Sequence, residues 1–298
     1  MLGPILFIAI NSLLKLETGG TIISYADDTV LFYSGHNWEI VKTKVEHGVT
    51  MVKKWLDVYK LSLNLDKTNY IAFSINSVNR PDFSFVNITN LNATIKEVST
   101  TKYLGIVIDK HLKWEHHASR LKNNLRKLIH KFYTLREILT RQLLTMIYRA
   151  LVESLIRYGI VIWGGLYNKA IKQLNVVQNY ILKVINKKEK RYPTQRLYNL
   201  EIFNVRSLYV LSVCSYVHKV ENFKLYVNHN HETRNRNRLQ VPRNNRNISH
   251  RFVNYLGPTF YNMLPVGVRV IKNLKHFNLE CRKYIHENNA LFINKLQT

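Results

Sequence analysis

The sequence is short of cysteine, of long apolar runs and, past its first third, of acidic side chains. Two cysteines, Cys214 and Cys281, cannot build a disulfide framework or a zinc site by themselves. Such sparing use fits a reducing compartment. A bilayer-spanning helix needs about 20 consecutive apolar residues. The longest run near the start, LGPILFIAI, is far shorter. It also lacks the charged flank that opens a signal peptide, so no membrane partner is expected. Residues 1–110 carry 11 basic and 10 acidic side chains, whereas residues 111–298 carry 33 and 9. The first part can hold a site tuned by local charge. The second reads as a surface for a polyanion. Three histidines in the stretch NHNHETRNRNRLQVPRNNRNISHR (His229, His231 and His250) have no cysteine near and meet no zinc spacing.

What is present is ample apolar material, 46% of 298 residues. That argues against wholesale disorder and sets an expectation of about two domains. The chain is organised around Thr21 to Tyr33, TIISYADDTVLFY. Two β-branched, apolar runs flank Ala26-Asp27-Asp28, the pattern of a β-hairpin with an acidic pair at its tip. Two carboxylates ~5 Å apart repel by about 3 kcal/mol at an effective dielectric of ~20, before solvent relaxes them. A divalent cation accounts for such a pair, because Mg2+ takes carboxylate oxygens. So does an ordinary turn, where Asp hydrogen-bonds its own backbone.

Along the chain, Leu6, Ile10, Leu13 and Leu14 fit a helical face. The abrupt apolar opening leads us to expect further sequence upstream. Asn37 is placed to cap a helix whose stripe is Trp38, Val41, Val45, Val49, Val52, Leu56 and Tyr59. Tyr70–Phe73 reads as a strand, VNITN and LNATI as edge strands, and Lys102–Asp109 as a strand with a turn near Asp109. Hairpins and helices in this alternation predict an α+β layer with an antiparallel sheet. From His116 the pattern becomes helical. One stripe is Ala118, Leu121, Leu125, Leu128, Phe132 and Leu135. A second, capped by Thr140, is Leu143, Leu144, Ile147, Leu151 and Leu155. Two more helices follow, at about 170–185 and 205–220, the last apolar all round and therefore buried.

YADD followed by TVLFY resembles the active-site hairpin of reverse transcriptases, especially those of non-LTR (LINE-like, jockey-type) retrotransposons. Other blocks agree in order and spacing. Leu2-Gly3-Pro4-Ile5-Leu6-Phe7 resembles the block before the hairpin. Leu63-Asn64-Leu65-Asp66-Lys67-Thr68 resembles the following block, and Lys102-Tyr103-Leu104-Gly105-Ile106 the strands that grip the primer. Leu112-Lys113-Trp114, Tyr158-Gly159 with Trp163-Gly164, and Val177-Gln178-Asn179 resemble the downstream connection region.

The resemblance implies a partial polymerase palm over residues 1–110, a basic thumb-like helical bundle over 111–225, and an Arg/Asn-rich arm with a C-terminal helix over 226–298. It implies two-metal nucleotidyl transfer with Mg2+, or Mn2+, held by Asp27 and Asp28, with Lys67 near the nucleotide phosphates. Tyr25 is expected beneath the tip near the primer end. Gly3, Pro4, Tyr103, Leu104 and Gly105 are expected beside primer and template, and Arg120, Lys122, Arg126 and Lys127 on phosphates. The implied partners are RNA, an RNA–DNA hybrid and dNTP, inside the cell. One departure matters. The family's first metal-binding Asp lies on a separate strand upstream of the LGP block, and only Met1 precedes that block here. The expectation is an N-terminally truncated enzyme that is inactive alone. The alternative is a nucleic-acid-binding remnant without chemistry.

Overall fold

The computed structural model describes residues 11–26, 28–73, 85–88, 93–165, 168–220, 238–243, 245 and 248–296. Two compact units divide the chain, Met1–Leu112 and Lys113–Thr298. Both mix of elements and order fit an α+β chain: small sheets in the first unit, helices in the second.

In the first unit a 3-10 turn, Asn11–Lys15, leads into the hairpin of β1 (Thr21–Tyr25) and β2 (Asp28–Phe32). Helix α1 (Trp38–Val58) begins where the Asn37 side-chain oxygen accepts from the Ile40 amide at 2.9 Å. Val49, Val52 and Trp55 are its buried residues, and Leu31 of β2 packs against them together with Leu13 and Ile95. Trp55 takes the core place expected for Tyr59, which is exposed. The indole N–H of Trp55 donates to the Ser12 hydroxyl at 3.2 Å, so the ring is buried with its polar edge satisfied.

The remaining strands correct the expectation of one antiparallel sheet. β3 is only Asn69–Tyr70 and pairs in parallel with β5 (Ala93–Glu97). β4 (Phe85–Ile88) pairs antiparallel on the other side of β5, so β5 is central and not an edge. Two or three strands in each sheet leave little regular pairing, and packing on α1 supplies the stability that such ribbons lack alone. Residues 102–109 form a hairpin, β6 (Thr100–Tyr103) and β7 (Ile106–Asp109). Its turn is Leu104-Gly105, both at positive φ (44° and 81°), and the expected turn at Asp109 follows the hairpin, where the Leu112 amide donates to the Asp109 carbonyl at 2.9 Å. A two-residue connection between twisted strands needs positive φ at both positions. Glycine meets that freely, whereas Leu104 is strained and hides the turn signal.

In the second unit α2 (Glu115–Leu135) buries His117, Ala118, Leu121, Leu125 and Phe132. Helix α3 (Arg141–Tyr148) starts where Thr140 accepts from the Leu143 amide at 3.4 Å. It continues through a π-helical turn, Arg149–Glu153, into α4 (Ser154–Arg157). The buried stripe here is Leu144, Tyr148, Val152 and Ile156, while Leu143, Leu151 and Leu155 are exposed. Apolar residues surround most of this helix, so periodicity alone does not choose the face. Burial of Tyr148 against a hydrogen-bonding partner decides it. After α5 (Ile160–Trp163) comes α6 (Asn168–Ile185), which packs on α2. Helix α7 (Val205–Lys219) is buried all round over Val205–Leu211, as its apolar circumference requires, and exposes Tyr216 and Lys219 toward its end. Helices α8 (Val253–Met263), α10 (Leu274–Glu287) and α11 (Asn289–Lys295) pack around it, with the short α9 (Val266–Arg269) between the first two. Glu153 is buried between the guanidiniums of Arg157 (3.6 Å) and Arg282 (3.5 Å). Among the described residues no helix is long and apolar enough to cross a membrane.

Candidate nucleotidyl-transfer and nucleic-acid sites

The register of the first hairpin sorts its side chains. Thr21↔Phe32, Ile23↔Val30 and Tyr25↔Asp28 are opposed pairs, and Ile22↔Leu31 and Ser24↔Thr29 alternate with them. Opposed residues share a face. Leu31 belongs to the core on α1, so the Tyr25–Asp28 face is the other one, and Ile23, Tyr25 and Phe32 on it are all half exposed or more. The Ser24 and Thr29 hydroxyls meet at 3.1 Å across the ribbon and brace the strands one step from the tip. Between Tyr25 and Asp28 the backbone turns through Ala26 at φ 54°. For an L-residue that conformation costs roughly 1–2 kcal/mol.

The structure therefore presents Asp28 at the open end of a rigid ribbon, exposed and beside Tyr25. Tyr25 is 66% exposed, which corrects the expectation that it packs beneath the tip. The pairing register places its ring on the solvent side. Asp27, Gly3 and Pro4 lie outside the described residues. Lys67 is exposed in a turn ahead of β3, where its amide donates to the Asn64 side chain at 3.2 Å and Thr68 closes the turn onto the Asn64 carbonyl at 3.0 Å. No ion pair joins Lys67 to Asp28 among the described residues. Leu104 and Gly105 form the tip of the β6–β7 hairpin, and the Tyr103 hydroxyl at its base is buried.

Among the described residues no group of three or more His, Cys, Asp or Glu could hold a metal ion. The donor chemistry of Asp28 suits a hard cation such as Mg2+. The one described carboxylate is of the right kind, and a two-metal site needs further ligands beside it.

The four basic residues on α2 fall on two flanks of the helix. Spacings of four and seven put Lys122 with Arg126 on one flank and Arg120 with Lys127 on another. The first flank faces α6, where Lys122 Nζ donates to the Gln173 side chain at 2.9 Å. Arg120 stands near buried His117, whose imidazole is held below its ordinary value by burial first and that guanidinium second. The same flank carries a residue that motif reading passed over. Tyr133 hydrogen-bonds Tyr180 of α6 through the two hydroxyls at 3.0 Å, and this bond raises the Tyr133 phenol above its usual range. Its place in sequence, seven residues after Arg126, was the available signal.

The family model of the reverse transcriptase (RNA-dependent DNA polymerase) matches residues 1–108. The matched residues contain the strands described above, all but Asp109 at the end of β7. Among curated proteins the chain is similar to the probable RNA-directed DNA polymerase from transposon BS of Drosophila melanogaster, with 28% identity over 171 residues, 55% of this chain and 18% of that protein. It is also similar to the probable RNA-directed DNA polymerase from transposon X-element of the same organism, with 22% identity over 167 residues, again 55% and 18%. The RNA-directed DNA polymerase from mobile element jockey is 22% identical over 200 residues, 62% of this chain and 21% of that protein. The chain thus spans about a fifth of the length of these relatives. No solved structure matches it. The similarity to transposon polymerases covers more than the residues that the family model matches, since 200 matched residues exceed 108.

Proposed function

We propose that this chain serves RNA-directed DNA synthesis in a retrotransposon polymerase, as the part that carries the acidic hairpin of the palm and a thumb-like helical region behind it. The observation that carries the reading is the two-residue hairpin tip with Asp28 on its exposed face. A rigid ribbon is the support that metal-held phosphoryl chemistry asks for, because positioning and charge account for most of that catalysis. Divalent cations held there would supply activation of the primer hydroxyl from one ion and charge for the leaving pyrophosphate from a second. Asp27 and Asp28 are the proposed ligands, and Lys67, exposed in its turn, is the proposed phosphate contact. Residues 1–110 act as palm, 111–225 as thumb and 226–298 as an arm with a C-terminal helix.

Two carboxylates from one tip do not enclose two ions. The polypeptide of these 298 residues is therefore expected to be silent in primer extension on an RNA template with dNTP and Mg2+ or Mn2+. Robust extension that disappears in Asp28→Asn would overturn the expected silence and place catalysis in this chain.

The excess of basic residues over 111–298 favours a second reading, a nucleic-acid-binding unit without chemistry. Phosphate contacts release counterions, so binding of an RNA–DNA hybrid should weaken with salt at a log–log slope of roughly −0.7 to −0.9 per phosphate neutralised. A flat response would count against both readings. Vesicle flotation without nucleic acid separates them from a membrane-surface role, for which no binding is expected.

A further inference from the structure

Helices α2 and α6 lie side by side and run in the same direction. Their cross-contacts advance together along both and just past their C-terminal ends: Lys122 to Gln173 at 2.9 Å, Tyr133 to Tyr180 at 3.0 Å, and, beyond the last turns, Glu137 to Lys187 at 3.7 Å. With a rise of 1.5 Å per residue this seam is roughly 20 Å long. Its middle is aromatic. The Tyr133 and Tyr180 rings sit 6.3 Å apart at 58°, and each residue is more than a third exposed. The guanidinium of Arg136 lies 4.6 Å over the Tyr133 ring, which fixes that ring and adds positive potential to it. Both ends are cationic, with Arg126 and Lys169 exposed beside Lys122 and Lys187 at the far end. The acidic residue of the seam, Glu137, is held by Arg136 at 2.8 Å as well as by Lys187.

We propose that the α2–α6 seam is a binding track for single-stranded nucleic acid, with Tyr133 and Tyr180 as a stacking platform and Lys122, Arg126 and Lys187 on the phosphates. The track rests on the nucleic-acid reading of the chain and adds to it a place and a strandedness. A duplex hides its base faces and offers phosphates alone, whereas an unpaired strand exposes the faces that an aromatic pair can hold. Hydroxyl-to-hydroxyl bonding holds the two rings in place before a base arrives, so little side-chain freedom is lost on binding. Recognition of this kind tolerates any sequence, because every base has a stacking face.

The test uses the full chain, a labelled dodecamer of uridine and an RNA–DNA hybrid of equal length, read by fluorescence anisotropy. Tyr133→Ala with Tyr180→Ala should weaken the single strand by about tenfold or more and move the hybrid less than about twofold, a margin that excludes loss of one stacked base. Tyr133→Phe with Tyr180→Phe keeps the rings and should retain most of the affinity. A second measurement needs no variant: oligouridine carrying photoreactive 4-thiouridine should cross-link to peptides containing Tyr133 or Tyr180. Unchanged single-strand binding by the alanine variant, or cross-links confined to other peptides, overturns the track and leaves the nucleic-acid reading standing. Failure of the unmodified chain to bind either probe removes both.

Discussion

The amide nitrogen of Gln178 donates to the Tyr148 hydroxyl at 2.7 Å, and neither side chain meets solvent. The same nitrogen donates to the Phe203 carbonyl at 2.8 Å, and the Tyr198 hydroxyl reaches the Gln178 oxygen at 3.4 Å and Asn179 beside it. One buried amide thus ties α3 and α6 to the segment that enters α7. Satisfied buried polar groups fix one packing among several, because any shift leaves them unpaired.

The first prediction follows from that tie. Gln178→Leu is close in size and leaves a buried hydroxyl and a buried carbonyl each short of a donor. Each orphaned group costs about 1–3 kcal/mol, so the second unit should lose roughly 2–4 kcal/mol of unfolding free energy. Urea denaturation followed by circular dichroism checks it, and a loss under about 0.5 kcal/mol, the size of a neutral surface change, would show that the network is dispensable.

Three buried phenols set the alkaline limit. Burial pushes Tyr148, Tyr198 and Tyr209 well above the usual phenol range. In the unfolded chain they release protons near their ordinary value of 10.0, while the folded chain still holds them. The unfolded state then binds fewer protons, so stability falls as pH rises past about 10. It is unaffected by these groups below that value. Each phenol contributes about 1.4 kcal/mol per pH unit in that window. Unfolding midpoints between about pH 9 and pH 11 check the slope, and a midpoint that stays level would refute it.

How far the sequence speaks for the structure depends on whether a feature is local. Asn37 and Thr140 announce their helices because a cap is a contact across three residues, and both caps are in place. The YADD ribbon is legible for the same reason: alternation over five residues on each side of a two-residue turn. What fails is what depends on distant partners. The central position of β5 is set by β3, more than twenty residues away in the chain. The face that α3 buries is set by Gln178, thirty residues on. Tyr25 was expected beneath the tip, and the register puts it opposite Asp28 on the exposed face. At the Leu104 turn the local rule itself is broken, since a branched apolar residue stands where positive φ favours Gly or Asn.

A glycine inside α1 gives a third prediction. Helix propensity alone says that Gly48→Ala should stabilise by about 1 kcal/mol. A Cβ at Gly48 would instead stand 1.7 Å from the Tyr33 hydroxyl and 3.1 Å from the Thr18 carbonyl. The ring lies where the side chain would grow, and burial already pushes the Tyr33 phenol up. Overpacking of this kind costs about 1–3 kcal/mol. The variant should therefore be less stable than the parent despite its better propensity. Tyr33→Phe in the same background should recover part of the loss, and a double-mutant cycle on thermal unfolding measures it. Additivity of the two changes would show that the hydroxyl is not the obstacle.

The last prediction concerns Ala26, whose φ of 54° stands at the tip beside Asp28. Its side chain is exposed, so no packing is lost when it changes. Glycine accepts that backbone angle without the Cβ conflict, and Ala26→Gly should raise the stability of the first unit by about 0.5–1 kcal/mol. The gain comes from relief of strain in the folded state, partly offset by the greater freedom of glycine in the unfolded chain. Ala26→Val, with a branched Cβ in the same well, should lower stability and fray the Tyr25–Asp28 pair first. Hydrogen exchange at the Asp28 and Thr29 amides reads this locally. Faster exchange in the valine variant and slower exchange in the glycine variant are expected. The reverse order would mean that the tip does not hold the strained turn from which the acidic face is presented.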